Sequence, residues 1–578
     1  MAASLCGGDA ACHLILVQKR PVCDTGVATP IVTPQQHGHS VAPMIQRFPK
    51  WLALLAGGLS ATGFAPLNLW PVTLACMALL IHLVATAPNR KAAFARGWLF
   101  GLGQFTIGLN WIAIAFTYQD AMPHWLGWVA VVGLSCYLAV FPALAALVTC
   151  WLGTKLAPRE GGDPSPASSI RHHEEMDPRL RGGAGVCAVL AFASLWLITE
   201  WMRAWVFTGF AWNPLGVIAL EFGWAARLVG TYGLSALMML IAGALLLGLQ
   251  RQWKPALALV AGVAAVSLGG WALAPAPAGL TRTPITVVQP NNDQSDKYDP
   301  VMAARNFARL VDQTVDRNAP PGRIVFWPEA ATEDFVEDGY PRRYYYPETP
   351  AGIRARLTRP INDGDLLVTG GVKLDFDRNG QAVAAANSVF VFSSQARILG
   401  SYDKSHLVPG GEYLPYEEIL GQIGLSRLVP GTLGFTPGPG AQTLDLGRFG
   451  RMGLQICYEI VFSGEVADRS NRPDFLFNPS NDAWFGPWGP PQHLAQARLR
   501  ALEEGVPVIR STPTGISAVV DADGRLLESV PHHRAGHIDA MLPRAHAATP
   551  FALWGNLLPL ALAGFLMLFA VALRAFRR

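Results

Sequence analysis

The sequence predicts a multi-span α-helical membrane bundle joined to an extracytoplasmic α/β domain. Three observations carry this. The 578 residues are 51% hydrophobic and only 15% charged, with a mean hydropathy of +0.27, whereas an average soluble protein is about 25% charged. Apolar runs of about 20 residues, enough to cross a bilayer, recur before residue 280 and once after residue 550. Between them the pattern changes to short β-branched runs bounded by turn residues. With 45 Lys+Arg against 41 Asp+Glu, the chain carries too many charges to be lipid-buried throughout, and its net charge of +4 leaves no nucleic-acid footprint.

Taken in order, residues 1–45 mix Gly, Pro, His and Cys without periodicity and are expected to be a disordered extension, with Met44 a natural start. Residues 46–276 are expected to hold seven spans, at about 51–66, 68–87, 93–116, 125–152, 184–206, 223–249 and 254–274, with a Pro/Gly-rich cytoplasmic linker at about 155–183. The first two spans are the cleanest, because no Asp, Glu, Lys or Arg occurs between Trp51 and Asn89. An eighth span is expected at 551–573, in a C-terminal segment covering 550–574. Basic residues gather on alternate connections: Arg47 and Lys50, Arg90 to Arg96, Lys155 to Arg181, Arg251 and Lys254, and Arg574 at the end. The positive-inside rule then sets both termini in the cytoplasm and the segment between spans seven and eight outside it. In a bacterium that is the periplasmic face of the inner membrane.

The α/β domain is expected at 283–546. Strands are predicted at Ile285–Gln289, Arg323–Trp327, Leu366–Gly370, Ser388–Phe392, Ile398–Tyr402, Met452–Cys457, Phe475–Phe477, Val506–Arg510 and Ile516–Asp521, with helices at Val301–Asp316 and Pro491–Glu504. Of eight cysteines only Cys457 lies in this polar part, and no C-x-x-C spacing occurs. His172-His173, followed by Glu174-Glu175 in a Pro/Gly-rich linker, and His532-His533 read as solvated surface pairs rather than metal sites, so neither a metal nor a cofactor is expected.

Three side chains follow strand ends: Glu329 after Trp327-Pro328, Lys404 after Tyr402-Asp403, and Cys457 before Tyr458-Glu459. Strand ends of α/β sheets are where ligands and chemistry gather. Singly, each is more often a surface charge or an inert thiol. Together they make an acyl-transfer set. Lys404 can lower the thiol pKa and, with a backbone N–H near Cys457, hold a tetrahedral oxyanion, while Glu329 moves protons.

In these contexts, with Lys404-Ser-His-Leu-Val-Pro409 and Gly411-Glu412, the chain resembles the nitrilase (carbon–nitrogen hydrolase) superfamily. A bundle before the domain and a span after it make it similar to the membrane-anchored branch of that superfamily, the apolipoprotein N-acyltransferases. The resemblance covers about 46–578. It implies a nitrilase-like αββα sandwich and a Glu329, Lys404, Cys457 triad. It further implies transfer of an acyl chain, by a ping-pong route through a Cys thioester, from a phospholipid to the N-terminal cysteine of a diacylglyceryl apolipoprotein. Glu412, Tyr458 and Glu459 are implied as supporting residues. Two departures stand out: Gly410 precedes Gly411-Glu412 where the family often has Phe, and Tyr298 stands where it often has Trp.

Tyr298, Trp484, Phe485 and Trp488 are candidate substrate-binding residues, and the tyrosines at 340 and 344–346 and the leucines after Lys404 fit an interfacial lipid entrance. A monomer is expected. The alternative is a membrane-tethered amidase or nitrilase acting on a small soluble amide, for which these aromatics would be ordinary core. A transporter or receptor with a degenerate sensor domain is weaker, because all three catalytic residue types are present and few ionisable groups, Glu200 and Arg203 chiefly, fall in the spans.

Overall fold

A computed structural model of the chain describes residues 47–118, 122–155, 178–296, 300–423, 426–428 and 433–576. The extension expected at 1–45, most of the linker expected at 155–183, and Tyr298 lie outside the described residues.

Among the described residues, five helices have the length and composition to cross a membrane: Leu126–Gly153, Gly185–Arg203, Ala226–Leu249, Trp253–Ala272 and Leu557–Ala575. A sixth arises if Arg90–Gly108 and Trp111–Tyr118, bent by 47°, count as one span. The runs read as spans at 51–66 and 68–87 are shorter helices, Pro49–Ser60 and Trp70–Ala85. Pro66 and Pro71 lack the N–H that a continuous helix needs, so hydropathy overstates these two lengths. Close packing partly offsets this: a Cβ on Gly57 would lie 2.0 Å from the Phe100 carbonyl, so only glycine lets Pro49–Ser60 approach Arg90–Gly108. The last helix packs on Pro178–Arg203 and Ala226–Leu249, and Ser194 Oγ donates to the Ala563 carbonyl at 2.8 Å.

The domain after the bundle holds two sheets. The first, in spatial order, runs β13 (Gly536–Pro543), β1 (Leu280–Gln289), β2 (Ile324–Phe326), β3 (Leu366–Phe376), β4 (Ala382–Ser393) and β5 (Ile398–Asp403), with β6 (Gly434–Phe435) also on β4. The second runs β12 (Leu526–Val530), β11 (Ser517–Val520), β10 (Val508–Ser511), β9 (Phe475–Pro479), β8 (Arg451–Leu454) and β7 (Thr443–Asp445). Both are parallel at the centre, β1-β2-β3 and β8-β9-β10, and antiparallel at their edges. The nine strands predicted from sequence are present, their bounds shifted by a few residues.

The period-2 alternation of a strand divides the core. Ile285, Val287, Phe326 and Val368 face Met452, Leu454, Phe477 and Ile509 between the sheets. Val288, Val325, Trp327 and Leu367 face outward onto Leu310, Ile353 and Leu357 of two helices. The outer face of the second sheet is covered by the helix Gly489–Glu504. That is the αββα order of a nitrilase-like sandwich.

This covering helix also meets the bundle. Trp212 Nε1 donates to Gln492 Oε1 at 2.8 Å, and the Asn213 N–H to Gln496 Oε1 at 3.2 Å. Glu503, paired with Arg500 at 2.6 Å, accepts from Thr231 Oγ1 at 2.6 Å and Ser463 Oγ at 2.7 Å. Buried Gln492, Gln496, Arg500 and Glu503 therefore stand beside the apolar Leu494, Leu499 and Leu502, because the helix must also satisfy a loop and a helix end of the bundle.

Candidate active site

The ends of β2, β5 and β8 bring Glu329, Lys404 and Cys457 together, 8%, 1% and 5% exposed. Gly370 on β3 permits the turn carrying Glu329 to lie against the sheet, since a Cβ there would sit 2.4 Å from the Ala330 nitrogen. Lys404 Nζ lies 2.9 Å from Glu412 Oε1 and 3.6 Å from Glu329 Oε1. Asn387, on β4, bridges the same two carboxylates through Nδ2, at 2.7 Å to Glu329 and 3.0 Å to Glu412. The second Glu412 oxygen takes the Val408 N–H at 2.8 Å. The second Glu329 oxygen, Oε2, is buried without a hydrogen-bond partner among the described residues. A carboxylate held by one oxygen, with the other free, suits proton transfer. Beside it opens a cavity of about 440 Å³, lined among others by Asn292, Gln294, Phe307, Asp334 and Asn481.

Burial disfavours the Lys404 ammonium, but Glu412, then Glu329 and Cys457, outweigh it and hold its pKa above the ordinary value. The thiol behaves otherwise. Burial and then Glu329 push the Cys457 pKa well above the ordinary value; Lys404 pulls it down without prevailing, Asp482 raises it further, and the Asn481 N–H lowers it. Lys404 thus lowers the thiol pKa as expected, but burial and Glu329 outweigh it, and the net shift favours the protonated thiol.

Cys457 stands at φ +52, a left-handed conformation rare outside glycine, as the first residue of a short 3-10 helix Cys457–Val461. Glu459 pins this loop. Its carboxylate accepts from the Ile456 N–H (2.6 Å), the Ser405 N–H and Oγ (2.7 Å each), the Tyr402 hydroxyl (2.8 Å) and the His406 N–H (3.1 Å). Burial, partly offset by these donors, raises the Glu459 pKa. So this supporting residue ties the lysine loop to the cysteine loop.

Sequence reasoning missed the groups on the other side of Cys457. His493, wholly buried on the covering helix, lies with Nε2 3.1 Å from the Cys457 carbonyl and Nδ1 2.9 Å from Asp482 Oδ1. Arg510 on β10 reaches Asp482 Oδ2 at 2.5 Å, His493 Nδ1 at 3.0 Å, and Asn478. Cys457, Asp482 and His493 are close enough to share an ion. The donor set does not suit one, because Asp482 is paired to Arg510 and the imidazole Nε2 is engaged with a carbonyl. The available signal was the run of polar residues, Gln492, His493, Gln496 and Arg500, at helical spacing in a helix that had to be buried.

Tyr458 is buried against the bundle. Its hydroxyl donates to the Gly209 carbonyl at 3.3 Å, and its ring stacks on Trp212 at 6.5 Å and 15°. Trp212 also packs on His493, with ring centroids 5.1 Å apart. Phe485 lies between Trp111 (4.4 Å) and Trp212 (5.8 Å), and Trp484 meets Tyr118 edge-on at 5.9 Å. Trp488 is half-buried where the covering helix begins. Tyr340 and Tyr345 are instead internal to the domain: they stack at 5.8 Å, and Tyr340 donates to Glu337 and accepts from the Leu374 N–H. Tyr346 is exposed.

Comparison with known proteins agrees with this architecture. Residues 56–244 match the apolipoprotein N-acyltransferase N-terminal domain, and residues 285–549 match the carbon-nitrogen hydrolase family. The apolipoprotein N-acyltransferase of Rhizobium rhizogenes is 32% identical over 86% of this chain and 90% of its own length. That of Caulobacter vibrioides is 35% identical over 88% and 92%. Among solved structures, an amidase of the nitrilase superfamily from Nesterenkonia AN1 covers 46% of this chain and 93% of its own, with 18% identity and a TM-score of 0.32. Saccharomyces cerevisiae Nit3 covers 46% and 91%, with 21% identity and the same TM-score of 0.32. With both parts of the chain matched in order and relatives above 30% identity along nearly its whole length, this membrane protein belongs to the apolipoprotein N-acyltransferase family.

Proposed function

We propose that the chain N-acylates apolipoproteins by a ping-pong reaction in which Cys457 is the nucleophile, Glu329 the proton carrier and Lys404 the fixed cation. In the first half-reaction Glu329 takes the thiol proton and Sγ attacks an ester carbonyl of a phospholipid. The carbonyl electrons move onto oxygen, which Lys404 and the backbone N–H after Cys457 stabilise. Collapse breaks the ester C–O bond, and Glu329 returns the proton to the departing lysophospholipid. In the second, the α-amine of an S-diacylglyceryl cysteine loses a proton to Glu329 and attacks the thioester. The amide forms, the C–S bond breaks, and the thiol regains its proton.

One observation carries this reading: the three groups converge from three strand ends with Glu329 Oε2 left free beside a protonated, buried thiol. The site is also walled by bundle residues Gly209 and Trp212, which suits a substrate delivered from a membrane and excludes water from the thioester. A membrane-tethered amidase is not favoured, because the relatives named for acyl transfer match the bundle as well as the domain. We place the chain in a bacterial inner membrane as a monomer, termini cytoplasmic and catalytic domain periplasmic, with Glu412, Tyr458 and Glu459 supporting the triad and Tyr298, Trp484, Phe485 and Trp488 as the substrate-binding residues. Intact mass after incubation with phospholipid is the test. A long-chain acyl adduct mapping to Cys457 is expected, discharged by a diacylglyceryl-cysteine peptide and missing in Cys457→Ala; substantial transfer by Cys457→Ala refutes the mechanism.

A further inference from the structure

From the buried chain Arg510, Asp482, His493 and the Cys457 carbonyl, we infer that His493 is a positioning residue that polarises the peptide unit supplying the oxyanion hole. This rests on the proposed acyl transfer and goes beyond it. A carbonyl oxygen only accepts, so His493 Nε2, 3.1 Å away, is the donor and carries a proton. Asp482 at 2.9 Å and Arg510 at 3.0 Å both face Nδ1. When the ring is neutral, Nδ1 accepts from Arg510; when it is charged, Nδ1 donates to Asp482. In both states Nε2–H stays on the carbonyl.

That carbonyl belongs to the peptide joining Cys457 to Tyr458, whose other polar end is the Tyr458 N–H. Tyr458 lies in the first turn of Cys457–Val461, where N–H groups have no carbonyl a turn earlier. In other strand-to-helix nucleophile turns the N–H of the residue after the nucleophile is an oxyanion donor. A hydrogen bond accepted at the oxygen of a peptide strengthens donation from its nitrogen. His493 thus acts on the oxyanion without touching substrate. It also restrains the left-handed backbone of Cys457, at φ +52, along with Asn478, whose Nδ2 lies 3.4 Å from the same carbonyl. Trp212, packed 5.1 Å from the imidazole, holds the ring from the bundle side.

The role separates from simple thiol support because two reactions of Cys457 differ in what they need. Acylation and amine attack both pass through a tetrahedral oxyanion; alkylation by iodoacetamide does not. In purified full-length protein, His493→Leu is expected to slow single-turnover acylation by a labelled phospholipid, and discharge to a diacylglyceryl-cysteine peptide, each about 10- to 100-fold, part of what losing a whole oxyanion donor costs. Alkylation mapped at Cys457, and its pH profile, should stay as in the parent. His493→Gln, which keeps a donor able to reach the carbonyl, should recover most of the loss. If His493→Leu does not fold, His493→Asn, whose amide falls short of the carbonyl, takes its place. Unchanged acylation overturns the inference. So does acylation that falls in step with alkylation, since His493 would then merely hold the thiol in place. A parent protein that is alkylated but never acylated refutes the acyl-transfer reading instead.

Discussion

Replacing Lys404 by methionine should make folding stability depend on pH in the direction opposite to ordinary acid denaturation. Lys404 is 1% exposed and lies 2.9 and 3.6 Å from two carboxylates that also share Asn387. Without the ammonium two buried anions face each other uncompensated, which in buried pairs costs about 3–5 kcal/mol. Relief comes from binding a proton on one of them. Holding a proton on a glutamate of ordinary pKa near 4.3 costs about 4 kcal/mol at pH 7 and about 1 kcal/mol at pH 5. Between these pH values the folded variant holds one proton more than its unfolded chain, so its stability rises as pH falls. The loss relative to the parent should shrink from about 4 to about 1 kcal/mol over those two units. Lys404→Met/Glu412→Gln removes one anion and should lose most of this pH dependence while remaining inactive. Denaturant unfolding in detergent at pH 5, 6 and 7 reads all three proteins. A Lys404→Met variant whose deficit is the same at pH 5 and pH 7 would refute the arrangement of two anions held by one cation.

Glu329→Gln should separate thiol reactivity from acyl transfer. The carboxylate raises the thiol pKa, so its removal should speed iodoacetamide alkylation of Cys457 near neutrality, while acylation falls about 10²–10⁴-fold with the lost base; parallel changes in both rates would contradict the assignment. Glu504, at the end of the covering helix, has a pKa pushed up to about 7 by burial and then by Glu503. Its folded form binds the proton that the unfolded chain releases above about 4.5, so its contribution is complete below that pH and is lost as pH rises through about 7. Glu504→Gln should therefore exceed the parent at pH 8 by on the order of 3 kcal/mol and match it at pH 4, as chemical unfolding would show. For topology, alkaline phosphatase fused between Pro543 and Thr549 should be active, and an active cytoplasmic reporter at the same place would mean that the bundle has one span more or fewer than proposed.

What could be read from the chain divides along physical lines. The convergence of Glu329, Lys404 and Cys457 was legible because each follows a predicted strand, and one thiol in a polar region has few neighbours to be confused with. The central strands were legible because parallel strands buried on both faces are near-continuous apolar runs. Thr443–Asp445, Leu526–Val530 and Gly536–Pro543 are edge strands or partly exposed, and their polar residues read as loop. Asn387, Asp482, His493 and Arg510 were not legible, since each earns its role from partners far away in sequence. Hydropathy found the apolar runs before 87 but not the breaks within them, which depend on where proline interrupts backbone hydrogen bonding.

Trp212 reaches from a bundle loop to both Tyr458 and His493, and its indole N–H is held by Gln492. Arg203, at the end of the preceding helix, fastens that loop through the Phe210 and Trp212 carbonyls at 3.0 and 2.9 Å. The Cys457 loop is consequently held in a fixed position against the bundle. In the proposed reaction Cys457 therefore does not swing toward the lipid or toward the peptide, as it could in a domain on a flexible stalk. Each substrate must travel to it and each product must leave it, so any gating falls to surface loops. Turnover should then respond to how readily lipids are drawn partway out of the membrane, and hardly at all to domain rotation.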